Sequence, residues 1–246
     1  EIKPHKTEQW IHTPIEDEEA FNRQVSALCN LYHSAQALKE QGVRVVSCDE
    51  KTGIQAIERL ITSMKKGQAE RREANYIRHG TQCLIANFEI ATGNIIAPSI
   101  GDTRKENDFV EHIKNTVATA PQAQWIFIVD QLNTHQSSSL VEYIASVCGY
   151  NGELGKKGKS GIQKDMPSRM EFLSDENHRF RFFYTPKHAS WLNQIEVWFS
   201  ILARKLLKRL SVPSKDELKN KIFQFIEYFN LTAAKAFRWT YKGKSK

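Results

Sequence analysis

The sequence predicts an α/β fold, a mixed sheet flanked by helices, and three observations carry that reading. An unbroken apolar run, WIFIV at 125–129, leads into the carboxylate of Asp130, the pattern of a central strand covered on both faces. A second run, VRVVSCD, ends in Asp49, with Val43, Val45 and Val46 supplying β-branched strand character. Around these runs stand stretches of helical spacing, the strongest being HASWLNQIEVWFSILARK, which holds Glu196. Ligand sites of open sheets lie where strands give way to loops, so two strand-end aspartates and a helical glutamate form a candidate carboxylate cage.

The elements follow in order. Residues 1 to 12 read as an extended arm. Thr13 as N-cap, Pro14 at the first helical position and Glu16 three residues after the cap predict a helix start. Phe21, Val25, Leu28 and Tyr32 give that helix one apolar face to lay beside the first strand. A polar, basic stretch, MKKGQAERREANYIRHG, separates Asp49 from CLIANFEIATGNIIAP, which reads as a hairpin around Thr-Gly-Asn. A helix is predicted from about Asn107 to Thr119, then the Asp130 strand, then a helix from about Ser137 to Cys148. At 149–179 the pattern breaks: Gly149, Gly152, Gly155, Gly158 and Gly161 alternate with Lys156, Lys157, Lys159 and Lys164, the composition of an inserted, mobile basic segment. RFFYTP at 181–186 restores a short strand, stopped by Pro186, and the Glu196 helix follows. Ser214 and Glu217 form a second capping box for a last helix whose core face is Leu218, Ile222, Phe225, Ile226 and Phe229. The chain closes on FRWTYKGKSK, an aromatic anchor with a basic tail. The expected organisation is an arm and helix at 1–40 packed on a catalytic domain at 41–246, with the insertion at 149–179 and a C-terminal helix and tail at 214–246.

Composition sets the class of partner. With 35 Lys and Arg against 28 Asp and Glu, the 246-residue chain carries a net charge of +7 and a pI near 9.2, which suits an acidic polymer. Cys29, Cys48, Cys83 and Cys148 are scattered, with neither a CxxC pair nor a histidine at zinc-finger spacing; this argues against structural zinc and a disulfide framework and for reduced thiols in the cytoplasm. No window approaches a membrane span, and no charged-then-apolar leader opens the chain. The first residue is Glu1 rather than Met, which reads as a fragment of something longer.

A sheet of this kind can host a two-metal site, because Mg²⁺ takes oxygen ligands, keeps several waters and needs only two or three carboxylates. Asp130 is the candidate bridging ligand, with Asp49 completing one site and Glu196 the other. Glu196 falls with Asn193 and Ser200 on a polar strip beside the apolar face of Ile195, Trp198, Phe199, Leu202 and Leu206, at the margin of the core. Taken singly, a strand-end aspartate is more often a cap or turn residue than a ligand.

The residues also carry a resemblance. SCDEKTGIQAIER, FIVDQLNTH and YTPKHASWLNQIEVWFSILARK resemble the three catalytic blocks of bacterial insertion-sequence transposases of the mariner-like superfamily, and FRWTYKGK is similar to that family's C-terminal end. The resemblance runs from about Lys3 to Lys244. It implies an RNase H-like fold, Asp49, Asp130 and Glu196 as the metal-binding triad, and two Mg²⁺ or Mn²⁺ ions. The implied activity is cleavage at the ends of a transposon and attack of the freed 3′-OH on target DNA, at TA steps, which bend and unstack easily. The implied partners are double-stranded DNA, both terminal inverted repeats and target, and further subunits in a homodimer or larger assembly that pairs two ends. A helix-turn-helix module for the repeats is expected outside this chain. Two features depart from the family pattern. Asp130 and Glu196 are separated by 65 residues, longer than the family's common spacing, and Gln131 stands where Asn is frequent; Asp49 and Asp130 are separated by 80.

Beside the triad, Glu50, Asn133, His135 and Asn193 are read as residues that orient the carboxylates or the substrate. A histidine at 135 serves equally as a cap for the following helix. Arg71, Arg72, Arg78, Lys156, Lys157, Lys159, His188, Arg204 and Lys208 are candidate DNA contacts, with a solvated basic surface as the alternative. Ser190, Trp191 and Asn193, just before the catalytic helix, are also placed to touch DNA, with packing the favoured reading for Trp191. Two rival functions remain: an RNase H-like nuclease that cuts without joining, and a host-adapted DNA-binding protein derived from a transposase.

Overall fold

A computed structural model describes residues 17–59, 61–62, 71–72, 75–187 and 189–241. The first helix, α1 (Glu18–Glu40), is capped by Asp17, whose carboxylate accepts from the Ala20 amide at 2.8 Å. Glu18 and Glu19 follow this cap at the positive end of the helix, which suits their charge, while Thr13, Pro14 and Glu16, where the sequence reading set the helix start, lie outside the described residues. Gly42, at φ +82°, ends the helix and turns the chain into β1 (Val43–Glu58).

Strand β1 is the axis of the molecule. It continues nine residues past Asp49, whereas the sequence reading ended the strand at that acid. The reason is a change of partner. Up to Ser47 the strand pairs in parallel with β6 (Gln124–Val129), and from Val46 onward it pairs antiparallel with β4 (Ile77–Glu89), which carries it across the polar residues that look like a loop. Two short strands, β2 (Ile61–Thr62) and β3 (Arg71–Arg72), pair with each other between β1 and β4. The predicted hairpin is present: β4 turns through Thr92 and Gly93 into β5 (Ile95–Gly101). With β7 (Phe180–Tyr184) parallel to β6, the sheet order is β5-β4-β1-β6-β7.

Alternation along the strands builds two cores. One face of the sheet presents Val45, Ile126, Ile128, Leu84 and Phe88 to α1, α5 (Gln194–Lys205) and α6 (Lys215–Thr232). The other presents Val46, Cys48, Trp125, Phe127 and Val129 to α2 (Glu106–Ala118), α3 (Ser138–Val147) and α4 (Met166–Leu173). Helix α5 is clamped by the fully buried Trp198, and burial of a ring of this size contributes about 2–3 kcal/mol. The expected Ser214 cap is formed, its hydroxyl accepting from the Glu217 amide at 3.1 Å. All four cysteines are free thiols. Among the described residues no helix is long and apolar enough to cross a membrane.

The segment 149–179 corrects the sequence reading: it is a packed element, not a mobile loop. Asp165 caps α4 by accepting from the Ser168 amide at 2.9 Å, and Phe172 and Leu173 enter the second core, with Leu154, Ile162 and Met170 against it. Arg169 donates to the carbonyls of Gln136 and Gln163 at 2.6 and 3.1 Å. Four of its glycines turn the backbone at positive φ, and the sparse apolar residues between them were enough to dock it.

The final residues form the predicted aromatic anchor. Phe237 stacks on Phe88 at 4.5 Å, Trp239 lies 4.8 Å from Tyr32, and Tyr241 meets Trp191 edge-on at 5.2 Å. The turn at Gly93, φ +78°, admits this tail: a Cβ there would stand 2.1 Å from the carbonyl oxygen of Lys235. The basic tail from residue 242 lies outside the described residues.

Candidate active site

The pairing of β1 with β6 sets the site. Val46 faces Phe127 and Ser47 faces Ile128, and the same register carried two residues further brings Asp49 beside Asp130. Asp49 keeps the face of Val45 and Ser47, the face on which α5 packs, while Glu50 points to the opposite face with Val46 and Cys48. Each acid of the Asp-Glu pair therefore serves a different layer.

On the α2 side, His135 joins two carboxylates. Its ring is fully buried, with Nδ1 at 2.8 Å from Asp130 Oδ1 and Nε2 at 3.1 Å from Glu50 Oε1, and Phe109 packs against it at 4.3 Å. Burial alone would lower the imidazole, but the hydrogen bonds to Asp130 and Glu50 outweigh it and lift His135 to about 10. His135 is therefore an imidazolium across the neutral range. Tyr184 of β7 donates to its carbonyl at 2.8 Å, and Gln131 donates to Thr185 O at 3.0 Å, so the turn after Asp130 is tied to the neighbouring strand. These bonds give Gln131, the residue that departs from the family pattern, the work of a brace.

The two aspartates are electrostatically unlike. Burial raises Asp49 first, the charge of Asp130 adds to it, and the Glu50 amide and His135 only partly compensate; its carboxyl is pushed up to about 7. Asp130 keeps about a third of its side chain exposed, 34%, and although burial acts upward, His135 and the Leu132 amide hold it below the usual carboxylate range. Arg104, exposed on the loop between β5 and α2, contributes in the same direction and was missed by the sequence reading.

On the α5 side, Asn193 fastens the helix start to β1. Its Nδ2 donates to Cys48 O at 3.1 Å and lies 3.5 Å from Asp49 Oδ2, its Oδ1 accepts from the Ser47 hydroxyl, and the Ile195 amide donates to Ser47 Oγ at 3.0 Å. Ser47 was also overlooked, although its spacing of two from Asp49 places both on one strand face. Lys51, two residues beyond Asp49 on the same face, lies over the Phe199 ring at 5.8 Å.

The structure thus gathers Asp49, Asp130, Glu50, His135 and Asn193. Glu196 is exposed in the first turn of α5, three residues after Asn193. Among the described residues no three His, Cys, Asp or Glu side chains converge tightly enough to hold one ion. Asn133 is exposed at the start of a 3-10 turn (Asn133–Gln136). Lys156, Lys157 and Lys159 are exposed, Lys157 lying 3.7 Å from Glu106 at the start of α2. Arg204 and Lys208 are exposed at the far end of α5 and just beyond it, and Arg78 is exposed on β4. Arg71 and Arg72 lie on β3, their side chains outside the described residues, as is His188.

Comparison with known proteins gives this geometry its place. The sequence profile of the DDE superfamily endonucleases matches residues 44–219. No curated protein sequence matches the chain. Among solved structures, a pre-cleavage Mos1 transpososome superposes with a TM-score of 0.54 at 14% identity, over 92% of this chain and 60% of that one. The catalytic domain of Mos1 mariner transposase superposes with a TM-score of 0.53 at 11% identity, over 89% and 85%. The Mos1 transposase paired-end complex with the left transposon end gives 0.52 at 12%, over 92% and 59%. The chain therefore spans about three fifths of the transpososome protein. With the profile covering well over half of its length, the chain belongs to the DDE superfamily endonucleases and has the RNase H-like fold of the Mos1 catalytic domain.

Proposed function

We propose that this chain is the catalytic part of a DNA transposase that cleaves at transposon ends and joins the freed 3′-OH to target DNA. The observation that carries the reading is the charge of Asp130, just past the end of β6, acting on the buried Asp49 of neighbouring β1, with an exposed acid in the first turn of α5, in a chain of DDE endonuclease sequence. The donor set fits a hard divalent cation, Mg²⁺ or Mn²⁺: every candidate ligand is a carboxylate oxygen, and Asp49 is raised by burial and by the charge of Asp130, which His135 only partly offsets. Asp49 and Asp130 would hold such ions, with Glu196 reaching from the rim once substrate phosphate is present. When bound, two divalent ions supply an activated oxygen nucleophile and charge stabilisation for in-line displacement at phosphorus.

The chain's own residues do the positioning. His135 fixes the rotamer of Asp130 by holding Oδ1, and Glu50 fixes the ring of His135 in turn. Asn193 holds the start of α5 against β1, so that Glu196 is presented from a clamped helix. Hydrolysis and strand transfer are both displacements at phosphorus, and one carboxylate set serves both, with water replaced by a DNA hydroxyl. Target choice at TA, pairing of two ends by two or more subunits, and membership of the bacterial insertion-sequence branch, with a cytoplasmic site of action, extend the same proposal.

The test incubates the chain, together with its natural flanking sequence, with Mg²⁺ and DNA carrying the element's own ends. Wild type should cut and join, and Asp130→Asn should do neither. Cutting without joining would support a nuclease; activity in Asp130→Asn equal to wild type would remove the mechanism.

A further inference from the structure

We propose that Trp191 is a stacking platform whose exposed indole receives an unpaired or terminal nucleobase of the DNA strand held at the aspartate pair. This deepens the transposase reading and rests on it. The loop that bears the ring is anchored by buried residues on both sides of it. Ala189, Leu192 and Asn193 are fully buried; Tyr32 donates to Leu192 O at 2.7 Å, the Asn193 amide donates to Ser190 O at 2.8 Å, and the Asn193 side chain reaches Cys48 and Asp49. From these buried neighbours Trp191 projects, 54% exposed, next to the exposed Ser190. The sequence reading favoured packing over a DNA contact for this ring, since an indole belongs in a core on hydrophobic grounds.

Its surroundings suit a base. Tyr241 supports the ring edge-on at 75°, and more than half of the side chain remains open to a flat partner. The backbone of Trp191 lies two residues from that of Asn193, a span of at most about 7 Å, and Asn193 Nδ2 is 3.5 Å from Asp49 Oδ2. A ring carried on a loop anchored to Asp49 in this way suits nucleotides adjoining the reacting phosphate. The local charge favours nucleic acid: Lys187 and Arg238 are exposed on the two segments that meet at the ring, and neither 186–195 nor 233–241 contains an acid. A base inside an intact duplex has both faces covered by its neighbours, so the occupant is a base freed at a strand end, nick or distorted step. Stacking of this kind tolerates any base.

The experiment compares wild type, Trp191→Ala and Trp191→Phe, as the whole chain, by fluorescence anisotropy on a short oligo-dT strand. A second readout is quenching of 2-aminopurine placed at the terminus of a duplex. Trp191→Ala should weaken binding by about tenfold and Trp191→Phe by clearly less, with an unchanged salt slope, because stacking rather than phosphate contact is lost. The 2-aminopurine quench should disappear in Trp191→Ala and persist in Trp191→Phe. Binding of Trp191→Ala within twofold of wild type would overturn the proposal. So would equal DNA affinity with altered sedimentation, which would assign the ring to a protein contact. The two readings fail separately: loss of stacking in a chain that never cleaves DNA removes the transposase, and cleavage abolished by Asp130→Asn beside an indifferent Trp191 removes the platform.

Discussion

Two buried carboxylates on neighbouring strands of one sheet have opposite fates. Glu89, at the end of β4, is 1% exposed and surrounded by cations: Arg44 Nε at 2.7 Å and Lys39 Nζ at 3.0 Å. Burial pushes it upward, but the hydrogen bonds from Arg44, Thr92 and Lys39 hold it below its ordinary value. Asp49, on β1, is 7% exposed, has the negative charge of Asp130 beside it, and is lifted to about 7. The first acid is complete within the chain and ties α1 to the sheet. The second is incomplete, and its deficit is the kind that a divalent cation fills. In this fold a site is recognised by the charge that the protein leaves unbalanced, not by acidity alone.

The strongest way to break the comparison is chemical. Asp49→Asn and Asp130→Asn should each lower Mg²⁺-dependent DNA cleavage by on the order of 10³-fold or more, measured on a labelled duplex, while Glu89→Gln should leave the rate of correctly folded protein nearly untouched. Next comes stability. Arg44→Met deprives Glu89 of its nearest cation and should cost about 2–3 kcal/mol in urea denaturation, less than for a fully buried pair because Arg44 is partly exposed. Asp49→Asn should be neutral or stabilising in the absence of metal.

pH sharpens the contrast, because the two shifts have opposite signs. Asp49 has a folded-state value near 7 against 3.8 ordinarily, so the native chain binds the extra proton and its stability falls as pH rises from about 4 to about 7. Glu89 is lowered, so its contribution is present above its ordinary value of 4.5 and is lost as pH falls below it. Thermal melts should show the Asp49→Asn variant gaining on wild type through that window by a few degrees; parallel curves would contradict the assignment. Mg²⁺ should raise Tm more at pH 8 than at pH 5 in wild type, and not in Asp49→Asn. A smaller effect is expected one bond away: Glu50→Gln, which loosens His135, should reduce cleavage about 10- to 100-fold with binding of DNA preserved.

Much of this architecture could be read from residues whose pattern has one physical explanation. WIFIV before Asp130, the Thr-Gly-Asn hairpin and the Leu218–Phe229 face became β6, the β4–β5 turn and α6 because periodicity and turn chemistry agreed there. Asp49 was found as an acid but misplaced as a strand end, since the antiparallel partner that carries β1 onward, Ile77 to Ile85 of β4, comes only after a long intervening stretch of chain. Residues 149–179 were misread because glycine and lysine dominate their composition, while the few side chains that dock them, Phe172 and Leu173 above all, are a small share. Glu196 was rightly set on a polar strip at the core margin, whereas the exposure of Trp191 was harder to read for a related reason. A sequence gives the face of a helix or loop, whereas its cover is decided by other segments, here the tail that ends at Tyr241.

That tail has a mechanical meaning. Phe237, Trp239 and Tyr241 pack against β4, α1 and the loop of Trp191, so one short segment fastens three separate parts of the fold. A single protease cut between residues 233 and 236 would therefore loosen the first helix, an inner strand and the loop beside Asp49 together, although no strand of the sheet had been touched.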